Sequence, residues 1–332
     1  MIIPNNADEI VRFFNSSEDN FLSLTPEELF FGINELLFPN RTMPWPLVWA
    51  YIAVAACEGW LRNESLHYGQ PGQLMPMNRL YTFDNLSCEL RRFKMGRATH
   101  KAVGQIYHHR YGIFNKDTLK GKFEALLTDL TFNTDHALGL IGRYLIVKKL
   151  LENALLGGKI STVASLACGA GEAVVNAVAA AQKKGLKVKT AFLDINDKAL
   201  EMVEKQLVGL PPGDNAFYLV NVIKNQRWFS ALPVDALELV GLIDYISDKH
   251  LIKFLRSLKN PRLKLLISCN ILRKPGLTGE LERFFLRHAL QWPLYYRTED
   301  QLRAIFQSAG YEKVRLISEP YSLFSVVVWF KQ

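Results

Sequence analysis

Apolar residues recur with two different periods along this chain, and the change falls near residue 158. Before it the spacing is helical. Leu29, Phe30, Ile33 and Leu37 follow Thr25-Pro26-Glu27-Glu28, where Thr suits an N-cap, Pro the first helical position and the carboxylates the first turn. A second helix is predicted over 46–61. A long one is predicted over 135–156, with Leu138, Ile141, Leu145 and Leu150 on one side and Gly157-Gly158 as its stop. Looser stretches, Gly69-Gln70-Pro71-Gly72 and Met75-Pro76-Met77 among them, separate these elements.

From Lys159 onward short β-rich runs alternate with helices. Strands are predicted over 163–168, 188–193, 217–220, 237–243 and 263–268, and helices over 172–184 and 198–207, with a turn at Pro211-Pro212-Gly213-Asp214. Thr298-Glu299-Asp300-Gln301 has capping-box spacing and opens a helix that runs to Ser308. The runs 314–318 and 324–330, joined through Glu319-Pro320-Tyr321, suit a terminal hairpin. Strand–helix alternation of this kind predicts an α/β fold, a doubly wound sheet with helices on both faces. The expected organisation is a mostly helical accessory or substrate domain over 1–130 and a sheet domain over 131–332.

Composition narrows the class. With 332 residues, 49% hydrophobic and 22% charged, the chain excludes a disordered or fibrous protein. The net charge of +8 is uneven: residues 1–36 carry −6, whereas 91–122 carry +8 through nine basic side chains against Asp117. Such a stretch points to an anionic partner without naming it. Cys57, Cys88, Cys168 and Cys269 stand far apart, in neither a disulfide framework nor a zinc pattern. The first residues lack a basic segment followed by an apolar one, and the apolar run from Trp45 to Cys57 is too short for a bilayer. A reduced, cytoplasmic setting without a membrane span is therefore expected.

The chemistry concentrates in Ser165-Leu166-Ala167-Cys168-Gly169-Ala170-Gly171-Glu172, followed by Phe192-Leu193-Asp194. A strand enters a Gly-x-Gly turn and a helix leaves it, so the backbone can approach a ligand closely. Asp194 ends the next strand 23 residues after Gly171, where a carboxylate can accept both hydroxyls of a ribose. A dinucleotide fingerprint would want a third glycine where Val174 stands. Glu172 at the helix start disfavours pyrophosphate and suits a cofactor bearing an ammonium and a sulfonium.

This segment resembles motif I of the class I S-adenosylmethionine-dependent methyltransferases. The resemblance implies their Rossmann-like seven-stranded sheet, S-adenosyl-L-methionine as cofactor and methyl transfer as the activity. The family's usual motif I acid is Ser165 here, and its first glycine is Ala167. Ser-Leu-x-Cys-Gly-x-Gly-Glu, together with Gly241-Leu242-Ile243-Asp244-Tyr245-Ile246-Ser247-Asp248 and Tyr295-Tyr296-Arg297-Thr298-Glu299, is similar to bacterial small-molecule enzymes that include 3-hydroxy fatty acid carboxyl methyltransferases. On this resemblance the cofactor lies against Ala167, Cys168, Gly169, Gly171, Glu172, Asp194, Ile195 and Asp244. Asn221 takes the adenine position, and Arg143 and Tyr144 the methionine carboxylate. A solvated helix face is the alternative for Arg143, and a plain strand end for Asn221.

Tyr245 falls where the methyl group should sit, and Asn270 where the substrate cavity should be lined. His288 is the best placed of seven histidines for a general base. A carboxylate acceptor needs no base, and no compelling base stands out, which favours that acceptor. Trp45, Trp49, Tyr51 and Trp60 would either line an acyl pocket or pack as helix core. The leading expectation is thus methyl transfer to a small-molecule or acyl-type, anionic substrate, with the helical half as lid or homodimer surface. Two alternatives remain open. Residues 91–122 could serve an RNA or protein methyltransferase, with nucleic acid not favoured. Ser165, Ala167 and Asn221 would also fit a non-catalytic binding protein on a cofactor fold.

Overall fold

The computed structural model describes residues 7–15, 23–62, 79–96, 99–107, 118–208, 215–226, 229 and 232–331. The expected turn at 211–214 and the loose stretches at 69–77 lie outside them. The N-terminal part comprises α1 (Ala7–Asn15), α2 (Pro26–Leu29), α3 (Trp45–Arg62), α4 (Cys88–Met95), α5 (His100–Tyr107) and α6 (Leu119–Phe132). The long α7 (Asp135–Leu156) then leads into β1 (Thr162–Leu166), α8 (Glu172–Lys183), β2 (Lys189–Asp194), α9 (Asp197–Gln206), β3 (Asn215–Leu219) and β4 (Ala236–Val240). The chain continues through α10 (Asp248–Ser257), β5 (Leu265–Ile271), α11 (Gly276–His288), α12 (Glu299–Ser308), β6 (Arg315–Ser318) and β7 (Phe324–Phe330).

The strands form one seven-stranded sheet in the order β3-β2-β1-β4-β5-β7-β6. Neighbours from β3 to β5 run parallel, and β7 enters antiparallel between β5 and β6. The order reverses between β1 and β4, which opens a crevice at their carboxyl ends. One apolar core joins α3, α7, α8 and α11 to one side of the sheet; a second packs α1, α10 and α12 on the other. No described helix is long and apolar enough to cross a membrane.

Local rules set most boundaries. Thr25 and Glu28, like Thr298 and Gln301, form reciprocal capping boxes. Three expected elements end early, each at a left-handed residue. Gly32 (φ 68°) stops the helix after Thr25, leaving Leu37 93% exposed rather than on a buried helical face. Ala167 (φ 54°) ends β1 before Cys168, and Gly241 (φ 83°) ends β4 before Ile243. Conversely, β5 runs on to Ile271 because β7 pairs along its whole length. Helices α10 and α11 have no counterpart among the expected elements.

The basic stretch is not one solvated face. Lys94 is buried and pairs with buried Asp84 at 3.2 Å, and Asp84 also accepts the Leu80 N–H. Arg92 and Lys101 are exposed. Removing one partner of a buried ion pair strands the other charge, so Lys94→Met should cost about 3–5 kcal/mol of stability in urea denaturation, against under about 1 kcal/mol for Arg92→Met. Equal effects would sink the distinction. Of the N-terminal aromatics, Tyr51 is core and bonds Thr131 Oγ1 at 3.1 Å, while Trp45 and Trp60 are largely exposed.

Candidate functional site

At the switch point, three chain turns open onto a cavity of about 330 Å³. The first is the β1–α8 turn, where Ala167, Gly169 and Gly171 all have positive φ (54°, 54° and 61°). A Cβ on Gly171 would also stand 2.9 Å from Val203 Cγ2, so only glycine fits. Ala167 pays a conformational penalty that neighbouring bonds offset: the Cys168 N–H donates to Leu193 O (3.1 Å) and the Gly171 N–H to Cys168 O (2.8 Å). The second turn follows β2. Asp194 is buried there, accepting the Gly169 N–H at Oδ2 (2.9 Å) and the Asn196 N–H at Oδ1 (2.8 Å). It therefore locks the glycine turn while facing the cavity, and Ile195 beside it is an exposed apolar rim.

The third turn follows β4. Asp244 accepts the Ile271 N–H at 2.7 Å, and burial pushes its carboxyl up to about 6. Tyr245 accepts a hydrogen bond from Trp292 Nε1 at 2.6 Å. Above these turns runs one face of α7, with His136, Leu140, Arg143, Tyr144 and Val147 on the cavity wall at helical spacing. Arg143 is buried, not solvated. Its guanidinium sits over Phe324 (5.1 Å) and close to Gly241, and its Nε has no hydrogen-bond partner among the described residues. Tyr144 bonds the exposed Asn176 at 2.9 Å. From the N-terminal part, α5 adds His100, Val103 and Tyr107, so residues before 130 help enclose the site.

Sequence reasoning missed Glu238. It faces the cavity from β4 and stands directly opposite Ser165 of β1. Ser165 Oγ donates to Glu238 Oε2 at 2.5 Å and the Val240 N–H to Oε1 at 2.8 Å, yet burial still pushes the carboxyl up to about 7. An acid thus reaches this region from the neighbouring strand, next to the serine. The signal was available in the switch-point order, which makes β1 and β4 neighbours. His136 could likewise have been found seven residues before Arg143, on the same face of α7.

Ala167, Cys168, Gly169, Gly171, Glu172, Asp194, Ile195, Arg143, Tyr144, Asp244 and Tyr245 all line this one cavity. Three other candidates do not. Asn221 uses its side-chain oxygen to accept the N–H groups of Ile223 (3.1 Å) and Lys224 (3.0 Å), capping its own turn. Asn270 is buried in the β5 interior, where it accepts from Arg297 and donates to Ile271 O and Tyr295 O. His288 ends α11 against Phe284 (4.3 Å) and next to Gly59 of α3, and burial and Arg287 push it down to about 4. It is therefore not positioned as the base of this cavity.

Among the described residues of the wall, four carboxyl groups (Glu172, Asp194, Glu238, Asp244) stand against the single guanidinium of Arg143 and make an acidic floor with one cationic point. Among the described residues no group of three or more His, Cys, Asp or Glu could hold a metal.

No protein-family model and no curated protein sequence matches the chain. Solved structures do. A possible exported protein from Bordetella parapertussis is similar at TM-score 0.58 and 16% identity, over 89% of this chain and 99% of that one. The S-adenosylmethionine-dependent methyltransferase SibL gives 0.46 and 12%, over 84% and 74%. Magnesium protoporphyrin IX methyltransferase from Synechocystis gives 0.43 and 14%, over 58% and 85%. The seven-stranded order, with β7 antiparallel between β5 and β6, is the Rossmann-like fold of class I methyltransferases.

Proposed function

We propose that the chain is an S-adenosylmethionine-dependent methyltransferase acting on a small, acyl-type acceptor at a carboxylate. The observation that carries this reading is the convergence of the 167–171 turn, Asp194 and a mostly anionic wall on one cavity. The residues suit the cofactor's parts. Asp194 would hold the ribose hydroxyls and Ile195 an adenine face. Glu172 and Glu238 would meet the ammonium, and Arg143, whose Nε–H has no partner among the described residues, the methionine carboxylate. Residues 1–130 serve as the accessory part, with α5 closing the cavity.

When bound, S-adenosylmethionine supplies a methyl group on an already activated sulfonium. The chain's own share is proximity, orientation and exclusion of water. Tyr107, Val103, Leu140 and Phe324 supply the apolar enclosure. Asp244, ordered by the Ile271 N–H, gives the floor its charge at the strand end. A carboxylate acceptor is ionised at neutral pH and brings its own lone pair, so no base is demanded of the wall. Incubation with methyl-labelled cofactor and a fractionated extract tests the acceptor: label in carboxylic esters is expected, and label in RNA or protein would overturn the reading.

The raised Glu238 gives a pH dependence. Below about pH 7 its carboxyl is largely protonated, whereas a bound ammonium favours the ionised form. Binding must then expel a proton, so affinity for S-adenosylhomocysteine should rise with pH between about 5.5 and 7.5, by at most about tenfold per unit, and level off above. Isothermal titration in buffers of different ionisation enthalpy reads both the slope and the proton. Glu238→Gln should flatten the profile; an unchanged slope would remove Glu238 from the site.

A further inference from the structure

The cofactor assignment leaves one end of the cavity wall unused. His136, in the first turn of α7, is 2% exposed, and neither Nδ1 nor Nε2 has a hydrogen-bond partner among the described residues. Buried polar atoms in native structures are nearly always paired, so both nitrogens of a cavity-lining ring without partners point to a group that arrives with a ligand. The ring lies edge-on to Trp292 (5.3 Å, 73°) and tilted against Phe324 (5.6 Å). The same indole donates to Tyr245 Oη at 2.6 Å, which leaves the Tyr245 proton for another acceptor. Both donors therefore contact Trp292, in an aromatic corner next to the β4 turn.

Burial, with nearby Arg143 adding to it, pushes His136 down to about 3. At neutral pH the imidazole is uncharged, with one N–H to donate and little tendency to take a proton. A hydroxyl or amine acceptor would need to lose a proton to this corner. A carboxylate would not; it accepts hydrogen bonds and offers none.

We infer that His136 and Tyr245 form the acceptor-binding pair, a ring N–H of His136 and the Tyr245 O–H holding the substrate carboxylate between Trp292 and Phe324. This rests on the methyltransferase reading above. In the transfer the carboxylate oxygen gains the methyl carbon, the electron pair of the broken carbon–sulfur bond stays on sulfur, and no proton moves. His136 is then an orienting donor rather than a base. Its place on α7, before the glycine turn, separates it from His288 beyond β5.

Octanoate, added to protein saturated with S-adenosylhomocysteine, is the probe. Side-chain ¹⁵N resonances of His136, assigned by their loss in His136→Gln, should shift saturably with octanoate and keep the pattern of a neutral ring at pH 7. In steady-state assays, His136→Phe and Tyr245→Phe should each raise the octanoate KM about tenfold or more, the loss expected for one hydrogen bond to a charged group. His136→Asn, which keeps a donor, should recover most of that, and all three should bind S-adenosylhomocysteine within about twofold of wild type. Resonances that octanoate does not move, or a KM unchanged in both Phe variants, would overturn the pair. A wild-type protein that fails to bind S-adenosylhomocysteine sinks the methyltransferase reading itself, whereas normal binding with an unresponsive His136 sinks only this inference.

Discussion

Asp194→Ala is expected to abolish the thermal stabilisation that S-adenosylhomocysteine confers on the wild-type protein. A ligand that binds only the folded state at a hundredfold excess over its Kd stabilises it by about 2.7 kcal/mol, which raises the melting temperature by several degrees. Asp194 bears on that shift twice. It is the carboxylate at the end of β2 facing the cavity, and it accepts the Gly169 N–H that sets the glycine turn. Alanine removes the carboxylate proposed to hold the ribose and loosens the turn together. Because the variant starts from its own lower melting point, the quantity to read is the ligand-induced shift, not the midpoint. Asp194→Asn, which keeps one acceptor oxygen, should retain a reduced shift. An undiminished shift in the alanine variant would place the nucleoside elsewhere.

The second large effect lies outside the cavity. Arg297→Met should lower the unfolding free energy by about 3–5 kcal/mol in urea titration, the range for breaking a buried charged network from one side. Arg297 is 2% exposed. It donates to Ile243 O (3.0 Å), Asn270 Oδ1 (2.5 Å), Ile246 O and Asp248 Oδ1 (2.8 Å). Asp248 is half-exposed and regains water, and Ile243 O keeps the Ile246 N–H (3.2 Å), but Ile246 O and Asn270 Oδ1 lose their buried donor. Those carbonyls flank the short turn of Ile243–Tyr245, which carries Asp244 and Tyr245 into the cavity. Cofactor affinity should fall alongside stability. Arg297→Lys should not rescue either, since an ammonium cannot reproduce the fork of the guanidinium. A loss below about 1 kcal/mol would show that the network is dispensable.

Arg297 also illustrates how a motif can be visible and its role not. Tyr295-Tyr296-Arg297-Thr298-Glu299 stands out in the sequence, and its Thr298 caps α12 as the spacing implies. That Arg297 clamps the turn after β4 depends on Leu272 and Arg297 meeting beside β5. No local pattern encodes that meeting. The same holds for His288. Its position between β5 and the final helix suggested the substrate cavity, but α11 turns it towards α3, where Gly59 allows the two backbones to approach.

What the sequence determined by itself is local. Capping residues, the stop after α7, the glycine turn and the Asp194 that follows it are set by dihedral preferences and hydrogen bonds within a few residues. They are legible wherever the chain is read. Only the tertiary structure decided what comes together across the sheet: Glu238 opposite Ser165 through the β1–β4 register, and His136 of α7 against Trp292 beyond α11. It also decided that Arg143, polar by composition, lies buried over Phe324. The physical reason is that strand order and helix packing follow from the summed burial of apolar faces. Each such contact depends on many residues at once, and no short segment carries it.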